Sequence, residues 1–496
     1  MSDIVKPRLQ MTMRGGQLVP VSALYEGASS SPRLAGKGNV LSGPNMPLAR
    51  SLPLLQSRSR NAVRNNAYAA GARDTYASNL VGSGIRPDWK NEAIQTLWDR
   101  WIGECDADGV NSLYGLQSLC ASGQFEAGEV FTRFRFRRPT DGLSVPLQLQ
   151  LIESEQLDAG YSRAMDGRLI KMGIEFDAIG RRSAYHLWRY HPHEKLTAQM
   201  NVRVPIPADQ IVHVYRQTRP GQLRGVPELS SVILRLYEID EMQDALLAKQ
   251  KLSQLFGVFV KRKPGEFNED SPENFHGELV TDGQGEEFSE FVPGGIHYLD
   301  TGEEVQFSSP GDIGSAYTDW LRSELLAVAR GAGLTYEQLT GDLKNVNYSS
   351  IRAGLLEFRR RVEALQAYLM VHQWCRPIAA KWLDTAIVSG AIALEDYWEL
   401  RSAYLAIDWI ATKWEWVDPL KEEMADLIAV RSGFKPRSEA AAERGWDIIS
   451  LDRAIAEGNQ SADDNSLVLD SDPRAVNKSG TLQKDALELI KETEED

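Results

Sequence analysis

The stretch GVPELSSVILRLYEIDEMQDALLAKQKLSQLFG (Gly225–Gly257) limits the fold more than any other part of this chain. Pro227 suits a first helical turn, where its missing N–H would have no partner, and Gly257 is a stop signal. Between them, Leu229, Ile233, Leu236, Ile239, Met242, Leu246 and Leu255 recur at helical spacing and form one main stripe. Such a helix extends about 43 Å, far longer than a typical globular helix, so it must bridge two units or pack in an array. A second helix over Asp312–Gly331 carries Tyr317, Trp320, Leu321, Leu325 and Val328 on one stripe. Between these rods, GGIHYLDTGEEVQF reads as strand, turn and strand. The surrounding segment, Pro264–Leu321, holds fourteen acids and neither Lys nor Arg. The chain is expected to leave along one rod, form a small acidic head and return along the other.

The flanks read differently. Gly27–Arg73 has no Asp or Glu but contains Arg33, Lys37, Arg50, Arg58, Arg60, Arg64 and Arg73. Its first half is rich in Gly, Ser and Pro and reads as an extended arm. That arm is either a disordered tail or a clasp on a neighbouring subunit or an anionic surface. A mixed α/β region spans roughly Ser59 to Val226, with a helix expected over residues 61–80. EVFTRFRFRRP (Glu129–Pro139) alternates, with Phe134 and Phe136 on one face and Arg133, Arg135 and Arg137 on the other. The arginine face reads as solvated, acid-paired or phosphate-facing. PLQLQLIE and IVHVYRQ are further strands.

After the returning rod comes GDLKNVNYSSIRAG (Gly341–Gly354), a polar stretch between two apolar helices. The helix behind it is expected from about Ser350 to Ser389, with Ser349 or Ser350 as N-cap, a kink at Pro377 and Gly390 as its stop. Short helices follow to about Gly458. The last 38 residues carry ten acids against four bases and read as disordered.

A chain of 496 residues is long enough for two or three compact units. A net charge of −14 argues against tight static binding of nucleic acid, though not against DNA moving past. Cys105, Cys120 and Cys375 form no CxxC pair, which fits a reducing compartment and no zinc site. The N-terminus has no secretory h-region, and no run of 18 apolar residues spans a membrane. GxxxxGK[ST], HExxH and GxSxG are all absent. His186, His191 and His193 lie close in sequence, but their strand-like surroundings favour a structural role over a metal site. No catalytic residues, cofactor or metal are expected, and an enzyme is not.

The order of elements, together with seven stretches, resembles the portal proteins of tailed bacteriophages in the lambda-like family. The stretches are VRNNAYAAGARDTYASNLVGSGIRP, GVNSLYGLQSLCASGQFEAGEVF, LQLIESEQL, GIEFDAIGRRSAYHLW, IVHVYRQTRPGQLRGVPELS, GLTYEQLTGDLKNVNYSSIRAGLLEFRR and VDPLKEEMAD. The resemblance implies an α+β, multidomain protomer that assembles into a ring, commonly dodecameric, at one vertex of the viral head. It implies a basic arm (1–60), a wing (61–226), a stem helix (227–257), a clip (258–311), a returning stem helix (312–332), a tunnel loop (333–349), a kinked wing helix (350–390), a crown (391–458) and an acidic tail (459–496). Such a ring nucleates procapsid assembly with scaffolding and major capsid proteins and docks the terminase large subunit, an ATPase. It later meets a head-completion protein and lets DNA out. Lys344, Asn345, Asn347, Tyr348 and Ser349 would then face the channel and touch double-stranded DNA without reading bases. Asn347 and Ser349 could equally cap the next helix. Glu286, Glu287 and Glu290 would lie on the docking rim. The implied location is the virion, with assembly in the host cytoplasm. The alternative is a structural head or tail connector without DNA contact.

Overall fold

The structure, a computed structural model, describes residues 42–165, 168–194, 202–254, 314–344, 348–412, 419–444 and 446–467, the strand segments 11–14, 17–20, 258–261, 279–281, 287–289 and 296–299, and residues 414 and 469.

The hairpin β1 (Met11–Arg14) and β2 (Gln17–Pro20) precedes two helices, α1 (Asn45–Asn65) and α2 (Ala67–Leu80). The single helix expected over 61–80 is broken at Asn66. Its backbone is extended, its side-chain oxygen caps Ala69 N–H, and its amide donates to Asp240 at 2.8 Å. The basic arm also ends earlier than expected. Residues 45–60 lie in α1, whose Leu48 and Leu52 are buried. Arg60 pairs with Glu126, Glu153 and Glu155, and Arg73 pairs with Glu126.

Strand β3 (Arg86–Asp88), helices α3 (Glu92–Trp101) and α4 (Leu113–Ala127), and strands β4 (Glu129–Phe136) and β5 (Leu147–Ile152) follow. Next come β6 (Arg163–Met165), β7 (Arg168–Lys171), β8 (Ile174–Phe176), β9 (Arg182–Trp188), β10 (Arg203–Pro207) and β11 (Ile211–Tyr215). They form an antiparallel three-stranded sheet, β11-β4-β5, and a five-stranded sheet, β10-β9-β8-β7-β6. The period of two in β4 sends Val130, Thr132 and Phe134 to the face where Val212, Val214, Leu147 and Leu149 also sit. Phe131 on the opposite face packs with Tyr185, Leu187 and Ile206 of the second sheet.

The long rod is α5 (Ile233–Gln254), and it starts later than expected because Glu228–Ser231 form a 3-10 turn after Pro227. Beyond it lie the parallel pair β12 (Val258–Lys261) and β15 (Ile296–Leu299), and the antiparallel pair β13 (Leu279–Thr281) and β14 (Glu287–Ser289). Helix α6 (Gly314–Ala332) returns beside α5, and Arg235 bonds to Glu324 across the two. Among the described residues, both rods bury only the end near the body. Ile233, Leu236 and Ile239 of α5, and Leu325, Val328 and Ala329 of α6, are core residues. Farther out, Leu247 is 50% and Trp320 36% exposed.

A short helix, α7 (Tyr336–Thr340), leads to α8 (Tyr348–Leu365), a π-helical segment (Gln366–Cys375) and α9 (Arg376–Val388). The expected kink at Pro377 takes the form of this wider turn. Arg376 N–H bonds five residues back to Val371, just before the proline that has no N–H to give. Helix α8 starts at Tyr348, so Ser349 and Ser350 lie in its first turn rather than at its cap. The chain then forms α10 (Tyr397–Tyr404), β16 (Asp408–Ile410), α11 (Pro419–Arg431), α12 (Arg437–Glu443) and α13 (Ile448–Asp464). Strand β16 pairs with β3, which ties the C-terminal part to the body. No helix among the described residues is long and apolar enough to cross a membrane.

The main core joins the three-stranded sheet and the helices packed on it to the body ends of the rods. At its centre four indoles meet: the Trp382 ring lies 4.8 Å from Trp98, 5.6 Å from Trp89 and 5.9 Å from Trp101. The indole N–H of Trp101 donates to Leu147 O at 2.8 Å, whereas those of Trp89, Trp98 and Trp382 are buried without a protein partner among the described residues.

Candidate nucleic-acid interface

The loop between α6 and α8 is held at its base before it reaches solvent. Gly333 ends α6 with φ +77°, a conformation glycine adopts at little cost. A Cβ there would fall 1.1 Å from Arg361 Nη1. Arg361 lies 3.5 Å from Glu228, which also accepts from Arg216 at 2.9 Å and from Gln124 at 3.2 Å. Thr335 and Gln338 then form a reciprocal capping box that starts α7. Arg322 stacks over Tyr336 at 4.5 Å, and Leu339 is buried in the main core. Helix α7 therefore ties down five residues of the 333–349 stretch read as the tunnel loop.

Past Gly341, which has φ +71° and open space around it, the chain turns outward. Asp342 N–H donates to Thr340 Oγ1 at 3.2 Å, and Asp342 Oδ1 accepts from Lys344 N–H at 3.1 Å. This turn presents Leu343, 63% exposed, and Lys344. Lys344 has no carboxylate within ion-pair distance among the described residues. Asn345 and Asn347 lie outside the described residues, as do the side chains of Tyr348 and Ser349, whose backbone opens α8.

The other residues singled out in the sequence lie elsewhere. Arg133, Arg135 and Arg137 follow one another along one side of β4 and just beyond it. Arg135 Nε donates to Gln150 and Arg137 Nε to Gln148, both at 2.8 Å, across the β4–β5 pair. Burial lowers the pKa of Arg133 and Arg135, and each also feels the positive charge of the next arginine along the row. Glu287 begins β14; Glu286 and Glu290 lie outside the described residues. The three histidines do not converge. His186 bonds to Glu175 at 2.9 Å, while His191 lies 3.2 Å from Glu153 and its ring 5.6 Å from that of His193. Glu153, Glu155 and His191 do offer ligand atoms within 4.8 Å of one another. Arg60 already supplies positive charge to both carboxylates.

One buried assembly escaped the sequence reading. Glu129, at the start of β4, is fully buried and accepts from Arg224 Nε at 2.7 Å, Gly225 N–H at 2.9 Å and His213 Nε2 at 3.0 Å. Arg224 also donates to the carbonyls of Ser154, Leu157 and Met172. Burial opposes ionisation of Glu129, but Arg224 and His213 hold its pKa down at about 2. Burial pushes His213 down to about 4, with Glu129 opposing and the charges of Arg182 and Arg224 assisting. Neutral His213 with its proton on Nε2 satisfies both neighbours, donating to Glu129 and accepting from Arg182 Nη1 at 3.3 Å on Nδ1. Gly128 and Gly225 close this joint: a Cβ on Gly225 would fall 2.0 Å from Gly128 O. The assembly fixes the chain where it leaves the sheets for α5. Its only signal in the sequence is a carboxylate in an apolar strand.

The profile of the family described as "Phage portal protein, lambda family" matches residues 30–366. A "Probable portal protein" of Halomonas phage phiHAP-1 is 23% identical over 429 residues, covering 81% of this chain and 79% of that protein. The "Portal protein" of Escherichia phage N15 is 22% identical over 471 residues, covering 83% of this chain and 86% of that protein. Among solved structures, the neck of a native gene transfer agent particle, computed with C12 symmetry, has 13% identity and a TM-score of 0.40, over 82% of this chain and 94% of that one. With one family profile spanning more than half of its residues, the chain belongs to the lambda family of phage portal proteins.

Proposed function

We propose that this portal protein assembles into a homo-oligomeric ring, a dodecamer, at one vertex of the phage head, with a central channel through which double-stranded DNA passes. Membership of the portal family carries this reading. The two rods support it: each has an apolar stripe buried only at its body end, leaving Met242, Leu246, Leu247, Trp320 and Leu321 wholly or partly accessible for neighbouring subunits to cover. In this reading α5 and α6 form the stem, residues 258–311 the clip, 61–226 with the long helix the wing, and 391–458 the crown. The loop at Lys344, Asn345, Asn347, Tyr348 and Ser349 faces the channel. Slender polar groups and a single cation touch phosphates weakly there, as a conduit requires, since a tight site would stall translocation. The clip, with Glu286, Glu287 and Glu290 on its rim, docks the terminase large subunit and later the head-completion protein. The ring nucleates procapsid assembly with scaffolding and capsid proteins in the host cytoplasm and stays in the virion. It carries no catalytic site; the terminase supplies the force. Imaging the purified particle down its axis tests this reading. A ring with a central channel is expected, and a stable monomer at micromolar concentration, with or without assembly partners, would overturn it.

A further inference from the structure

We propose that Arg133, Arg135 and Arg137 bind successive phosphates along one strand of double-stranded DNA, away from the channel loop and without sequence preference. The inference rests on reading the chain as one that handles DNA. Several other arginines of the α/β body have a carboxylate or a buried acceptor: Arg60 and Arg73 meet glutamates, Arg224 meets Glu129, and Arg182 meets two tyrosine hydroxyls and His213. This row differs. No carboxylate lies within ion-pair distance of any of the three among the described residues. Asp108 attracts Arg135 from farther away. Arg133 Nε is buried without a hydrogen-bond partner. Like charges held side by side on a half-buried strand repel, and the molecule leaves the compensating anion to something outside the described fold.

The geometry selects the anion. Alternate residues of a strand advance about 6.7 Å, of the order of the phosphate-to-phosphate separation along one strand of a duplex. Gln148 and Gln150 hold Arg137 and Arg135 by their Nε atoms. Their Nη groups, the part of arginine that matches a phosphate in two-point contact, have no acceptor among the described residues. Gln148 is itself held by its amide, which donates to the carbonyls of Glu104 and Asp106, so the support of Arg137 is fixed. An evenly spaced line of forks on a rigid two-strand support fits a linear polyanion better than it fits scattered carboxylates on a protein partner.

The test is a titration of a short fluorescein-labelled duplex of random sequence with the full-length protein at several salt concentrations. Each phosphate contact contributes about 0.9 to the slope of log affinity against log salt. R133Q/R135Q/R137Q is expected to lower the slope by about 2 to 3 and weaken low-salt binding at least tenfold. R137Q alone, at an exposed position that cannot disturb folding, should lower it by about 1. Unchanged affinity and slope in both variants would overturn the proposal. So would a variant that keeps its DNA binding but loses binding to a peptide of residues 485–496, which would make the row a seat for an acidic protein segment. Imaging the same samples separates the two readings: absent rings would sink the assembly, while the salt slope reports on the arginine row regardless.

Discussion

Arg224 and Glu129, 95 residues apart in sequence, form an ion pair in which both side chains are essentially closed to solvent. Removing one partner of such a pair typically costs about 3–5 kcal/mol, because the other charge is left buried alone. R224M should therefore lower the thermal midpoint sharply at fixed protein concentration, and E129Q should do the same. E129Q/R224M should lose much less than the two singles together. Additive losses would mean that the two residues act independently.

Acid should weaken this joint in two steps. Glu129 and His213 both titrate lower in the folded chain, near 2 and 4, than their ordinary values of 4.5 and 6.5. Over those intervals the unfolded chain binds more protons, so stability falls as pH falls. The charged and titratable groups facing His213 are Glu129, Arg182 and Arg224, with the rings of Tyr185 and Tyr215 packed against it. H213Q keeps an N–H for Glu129 but cannot take up a proton. It should flatten the decline between pH 6.5 and 4, by on the order of 2 kcal/mol. A parallel decline in H213Q and the parent chain would assign the acid loss to other groups.

The boundary of the basic arm can be located by truncation. Deleting residues 1–41 should leave the thermal midpoint nearly unchanged while weakening ring or procapsid formation. Deleting 1–60 should destabilise the body, because it removes buried Leu52 and the Arg60 pairs with Glu126, Glu153 and Glu155. Leu52→Ala alone should cost about 2–5 kcal/mol. Equal midpoints for the two deletions would show that α1 is not part of the body's fold.

Replacing Lys344, Asn345 and Asn347 with Ala should give soluble rings with an unchanged midpoint, since the anchoring contacts belong to Gly333, Thr335, Gln338 and Leu339. Packaging should start, but full-length genomes should be retained less well. Rings that fail to form would make the loop a structural joint, and normal retention would remove the channel contact.

Reversing Glu286, Glu287 and Glu290 to Lys should slow association with the terminase, most of all at low ionic strength, because rim charges steer encounter and are screened by salt. An unchanged, salt-independent association rate would leave docking to shape alone.

Local pattern carried much of this fold. The stripes of α5 and α6 were legible because tertiary burial follows helical period at their body ends, and β4 was legible from its alternation. Long-range closure was not. Glu129 looks like any acid at a strand start until Arg224 arrives from β11's far side. Helix α1 was hidden by its Pro53 and by Ser and Arg residues that resemble a solvated arm, although Gln56 and Ser59 are buried. Helix α7 is a single turn whose polar capping box masks one buried leucine. The arginine row was visible as a pattern, but its lack of nearby carboxylates among the described residues is a fact of three dimensions.

The four-indole cluster gives the protein an optical signature of its own. Rings this close, with Trp98 and Trp382 crossed at 87°, share their excited states, so circular dichroism acquires a coupled band that isolated indoles lack. All four belong to the body core and none to the rods or the acidic head. That band reports the integrity of this one core, whatever the rods are doing. A spectrum read for helix content alone would be distorted by it.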